Sequence, residues 1–119
     1  MEPFTAARLT RPGIMAAVPH SFGMHGRLVA QPGQGDQLAG MLLEAAAALE
    51  ANDQCLLYVV SRSLADPDSI WVTEAWTGRA AHAASLEDQA ARALIERARP
   101  LIAEFADRAE FRPEGGKGI

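Results

Sequence analysis

The chain has 119 residues, 49% of them hydrophobic and 22% charged, with a net charge of −4. That length suits one globular domain with its own core, and the acidic balance with scattered arginines leaves no basic stripe for nucleic acid. Cys55 is the only cysteine, so no internal disulfide is expected; no Cys/His cluster has metal-site spacing, and a reducing compartment follows.

No apolar run approaches the ~18 residues of a membrane span. The run from Gly13 to Val18 is ended by Pro19 before it reaches the length of a signal-peptide core. A cytoplasmic protein with neither nucleic-acid nor membrane partners is expected. Residues 1–21, with Pro3, Pro12, Gly13 and Pro19 and no sustained period, read as an N-terminal arm. The folded domain is then residues 22–119.

A first strand is predicted from Phe22 to Gln31, with His25, Arg27 and Val29 on one face and Met24, Leu28 and Ala30 on the other. Pro32 suits the start of a helix, and Leu38, Met41, Leu42, Ala45 and Leu49 give that helix an apolar stripe. Gln54 to Ser63 reads as a second strand, apolar on both faces. The Asp- and Pro-rich segment from Ala65 to Ser69 is a turn, and Ile70 to Thr77 is a third strand, antiparallel to the second.

In that third strand Ile70, Val72, Glu74 and Trp76 share one face, while Trp71, Thr73 and Ala75 share the other. Gly78 ends it, and an Ala-rich helical segment carrying His82 follows. Helical spacing resumes at Leu94, Ala98, Leu101, Ile102 and Phe105, with Pro100 kinking this helix or starting a new one. A short fourth strand is expected around Ala109 and Phe111. The order strand, helix, strand, strand, helix, strand is the α+β, ferredoxin-like split βαβ pattern. Because the second strand is apolar on both faces, the sheet needs cover on its helix-free side. A second copy supplies it most simply, as a two-fold homodimer.

Several segments, in this order, carry a family resemblance: Tyr58 to Val60, Asp66 to Asp68, Trp71 to Thr77, His82 to Leu86, Arg99 to Phe105, and Pro113 to Ile119. Over residues 22–119 the chain resembles the antibiotic biosynthesis monooxygenase family, in particular its small quinol-monooxygenase-like members. The resemblance implies a dimeric α/β barrel that oxygenates phenols or quinols with molecular oxygen and without metal or flavin. Trp76 and His82 are six residues apart, whereas many relatives have a longer linker there. Heme-degrading relatives use an asparagine on the first strand; the only asparagine here, Asn52, precedes the second, which argues against heme.

Cofactor-free oxygenation needs a base near neutrality, a dry site and a group that steadies an oxyanion. His82 is the candidate base, against the alternative of a helix histidine that only packs. Glu74 lies among apolar and aromatic residues, so it must find a partner or stay protonated; it orients His82, acts as the base itself, or makes a structural bond to an arginine such as Arg27 or Arg62. Trp76 and Tyr58 could wall an aromatic substrate, the tyrosine as a donor, or belong to the core or an interface. Arg27 could bind an anion or simply be paired, Trp71 is assigned to the dimer interface, and Ser85 could bond within its own helix. The expected function is therefore a cofactor-independent monooxygenase for a quinol, anthrone or other polycyclic phenol. The alternatives are a non-catalytic small-molecule-binding dimer and a non-oxidative isomerase or cyclase acting on an enolisable aromatic compound.

Overall fold

Alternating apolar, β-branched and aromatic residues form four strands, and segments with helical spacing form three helices between them. The computed structural model describes residues 21–119, so the arm expected over residues 1–21 lies outside the described residues except for Ser21. The elements are β1 (Phe22–Ala30), α1 (Gly35–Leu49), β2 (Cys55–Arg62), β3 (Ser69–Trp76), α2 (Arg79–Ser85), α3 (Gln89–Ala98), a 3₁₀ turn (Arg99–Leu101) and β4 (Ile102–Phe111). The strands lie in the order β2-β3-β1-β4, and every neighbouring pair is antiparallel. This is the expected ferredoxin-like α+β arrangement.

Directly paired residues of antiparallel strands share a face. Phe22 lies opposite Trp76, Met24 opposite Glu74 and Leu28 opposite Ile70, whereas His25 lies opposite Thr73 and Arg27 opposite Trp71. The first set faces the helices. There Leu38 and Ala39 of α1 and Ala98 of α3 close a buried cluster with Ala30 and Ile70, flanked by Leu28, Met41, Leu42, Val60, Leu101 and Ile102. The second set forms the helix-free face. No helix among the described residues is long and apolar enough to cross a membrane.

Two expectations about elements need correction. The last helix does not run to Phe105: it ends at Ala98, and Leu101, Ile102 and Phe105 belong to the 3₁₀ turn and to a ten-residue β4. Pro100 explains the stop, because it lacks the amide hydrogen an α-helix needs there and its ring crowds the preceding turn. It neither kinks the helix nor starts another α-helix. Nor does the first helix start at Pro32; it starts at Gly35.

The cap of α1 comes from a distant part of the chain. The carboxylate of Asp68, in the β2–β3 turn, accepts from the amides of Gly33 and Gly35, each at 3.0 Å. A negative group there also opposes the positive end of the helix dipole. Gly35 is obligatory for this approach, since a Cβ would run into the Pro67 carbonyl oxygen and the Asp68 carboxylate. Asp68→Ala therefore costs about 1–2 kcal/mol, and Gly35→Ala about 1–3 kcal/mol. Urea denaturation checks both; unchanged midpoints would show that the turn does not anchor the helix.

Candidate functional site

Glu74 and Trp76 are two apart on β3, so both project to the helix side. The Trp76 indole is 1% exposed, and its Nε1 donates to Glu74 Oε1 at 2.9 Å. Each group thereby partners the other in surroundings that would penalise either one alone. The chain then turns at Thr77 and Gly78, and α2 brings His82 back over the same end of the sheet. His82 Nε2 lies 3.7 Å from Glu74 Oε1, and each side chain keeps 14% of its surface. The imidazole meets Trp76 edge-on at 5.5 Å and tilts over Phe22 at 5.5 Å. The five residues between Trp76 and His82 are thus enough to bring the imidazole to the carboxylate. Ser85 bonds within its own helix, donating to the His82 carbonyl oxygen at 2.6 Å.

Tyr58 on β2 lies opposite Glu74 and joins the same face. Burial pushes its phenol well above the usual range, and the nearby Glu74 charge adds to the effect. It remains a neutral hydrogen-bond donor at any working pH. Cys55, opposite Trp76 in the register, is likewise pushed up, chiefly by burial.

Arg27 is not part of this group. It stands on the helix-free face, where its Nε donates to Asp107 Oδ2 at 2.6 Å and its Nη1 to Ser69 Oγ at 3.2 Å. Its guanidinium carbon lies 5.9 Å from the Trp71 ring centroid. His25 stacks on Trp71 with centroids 4.7 Å apart and bonds Thr73 Oγ1 at 3.0 Å. The structure therefore gathers His82, Glu74, Trp76 and Tyr58 on one side of the sheet and leaves Arg27 on the other.

Sequence reasoning missed the rim of this site. The guanidinium of Arg79 lies 4.4 Å from the Phe22 centroid. Its Nη2 donates to Glu110 Oε1 at 2.9 Å, and Arg108 Nη2 lies 2.8 Å from Glu110 Oε2. The hydrogen bond from Arg79, aided by the charges of Arg79 and Arg108, holds the Glu110 carboxyl below the usual carboxylate range. Arg79 could have been found, because it is three residues before His82 on one helix and so shares its face. Glu110 lies within the strand expected around Ala109 and Phe111, but its bond to Arg79 spans 31 positions and leaves no local signal. Among the described residues, no three His, Cys, Asp or Glu side chains group as metal ligands.

The set contains a proton acceptor, an adjacent carboxylate, a neutral phenol donor and an aromatic wall, all on one face. Comparison with known proteins places it in a family. The profile for antibiotic biosynthesis monooxygenases matches residues 21–97. No curated protein matches the chain. Among solved structures, a candidate antibiotic biosynthesis monooxygenase from Chloroflexus aurantiacus is 40% identical with a TM-score of 0.76, covering 83% of this chain and 98% of its own. One from Deinococcus radiodurans is 27% identical with a TM-score of 0.67, covering 82% and 95%. SnoaB from Streptomyces nogalater, a cofactor-independent oxygenase solved as a mutant, shares the fold at 14% identity and a TM-score of 0.66, covering 76% and 90%. With the profile matched over more than half its length and a 40% identical relative aligned almost end to end, the chain belongs to the antibiotic biosynthesis monooxygenase family.

Proposed function

We propose that the protein is a cofactor-independent monooxygenase that oxidises a quinol, anthrone or related polycyclic phenol with molecular oxygen. The observation that carries this reading is the His82–Glu74 pair, 3.7 Å apart and mostly withdrawn from solvent beside Trp76. The cofactor-independent oxygenase SnoaB supports it by sharing the fold.

His82 takes the acidic proton of the bound substrate, and the imidazolium so formed is balanced by the Glu74 carboxylate next to it. Tyr58 donates a hydrogen bond to the substrate oxyanion, as an oxyanion-stabilising group must in a site with little water. The anion passes one electron to oxygen, and the resulting radical and superoxide combine into a carbon-bound peroxide. This peroxide takes up a proton from His82. Loss of the remaining hydrogen on that carbon, with cleavage of the O–O bond, leaves a carbonyl and one water. For an anthrone the balance is one methylene and one dioxygen converted to one carbonyl and one water.

The helix-free face, with Trp71 and the exposed Val59, packs against a second copy in this reading. Light scattering after size exclusion is expected to give a dimer mass, and Trp71→Glu to shift it towards the monomer. A folded wild-type monomer at micromolar concentration would defeat the dimer. The activity itself is tested by oxygen uptake with hydroquinones, naphthols and anthrones, measured above the autoxidation blank. No uptake by folded protein across that panel would count against the oxygenase and favour a binding role or non-oxidative chemistry.

A further inference from the structure

We propose that Arg79, Glu110 and Arg108 form an anion-selecting rim, so that the preferred substrate is an aromatic compound bearing a carboxylate or similar negative group. The inference rests on the reading of the His82–Glu74 face as the substrate site. Every other arginine–carboxylate pair among the described residues is one to one, as in Arg62–Asp36, Arg97–Glu44 and Arg112–Glu114. Here two guanidiniums share one carboxylate, which leaves one positive charge in excess.

Stability does not account for the arrangement. The Arg79 side chain is 67% exposed, and exposed ion pairs contribute little to folding. Its position is informative, however. Arg79 lies on the ring of Phe22, and that ring also meets the His82 imidazole. The two contact distances put the guanidinium carbon within about 10 Å of the imidazole centroid, a span that a two-ring aromatic acid can cover. A carboxylate reaching the rim would take up the bidentate geometry that guanidinium offers. It would compete with Glu110 for Arg79, while Arg108 keeps Glu110 partnered.

The test is calorimetric titration of the full chain with 2-naphthoate and with its neutral isostere 2-naphthamide. It involves no turnover, so it stands apart from the oxygenase reading. Naphthoate is expected to bind roughly tenfold more tightly than the amide, with the advantage shrinking as salt is raised. Arg79→Gln should remove most of that advantage, weakening naphthoate binding far more than amide binding. Glu110→Gln, which frees both guanidiniums, should tighten naphthoate binding about threefold; a merely structural ion pair would weaken it instead. Equal affinity for the two probes, binding of neither, or indifference of naphthoate to Arg79→Gln would each overturn the proposal. Loss of oxygen uptake alone would not.

Discussion

Replacing His82 by alanine is expected to lower kcat with an anthrone or quinol at least a hundredfold. General-base catalysis by a positioned side chain contributes about 10²–10⁴-fold, and no other imidazole among the described residues lies on this face, since His25 is stacked on Trp71 on the opposite side of the sheet. The variant should fold, because α2 contributes no fully buried residue. Glu74→Gln is the informative companion. A glutamine amide oxygen can still accept from the Trp76 indole, so the packing survives while the charge that balances a protonated His82 is removed; a tenfold or greater loss is expected. Steady-state oxygen uptake reads both. If His82→Ala keeps wild-type turnover and Glu74→Gln does not, the carboxylate is the base.

Trp76→Ala is expected to cost about 3–5 kcal/mol of stability, the usual range for truncating a buried large aromatic side chain. Trp76 is among the largest fully buried side chains of the described residues, together with Leu38 and Ile70. The substitution also strips Glu74 of its indole donor in a mostly enclosed position, which adds a desolvation penalty of about 1–3 kcal/mol. Against a total stability of about 5–15 kcal/mol for a typical domain, such a protein sits near unfolding. Trp76→Phe separates the two effects: the ring packing largely remains while the donor is lost, for about 1–3 kcal/mol. Urea denaturation at constant m-value measures both. A Trp76→Ala loss below about 1 kcal/mol would mean that the indole is not part of the core.

The division of β3 into two faces was legible in its residues because strand alternation is strictly two-fold: Ile70, Val72 and Trp76 did go one way and Trp71 the other. The placement of Arg27 was not, because alternation assigns faces within a strand but not which face of β1 matches which face of β3. That matching is set by the pairing register, here Arg27 opposite Trp71. Leu101, Ile102 and Phe105 fit a helical spacing as well as a strand in short compass; Pro100 decided the matter by ending α3. The Asp68 cap and the Glu110 rim join residues more than thirty positions apart in the chain, so no local pattern could announce them. The segments from Tyr58 to Thr77 and around His82 were legible as a family resemblance, and the family profile over residues 21–97 covers them.

The most direct test of the central claim is oxidation of an anthrone under isotopically labelled dioxygen by metal-free, flavin-free protein, with product analysed by mass spectrometry. The account predicts one labelled oxygen per product molecule, in the newly formed carbonyl, one dioxygen consumed per anthrone, and a rate above the autoxidation blank that falls at least a hundredfold with His82→Ala. Unlabelled product, or a rate at the blank from folded protein, would contradict it.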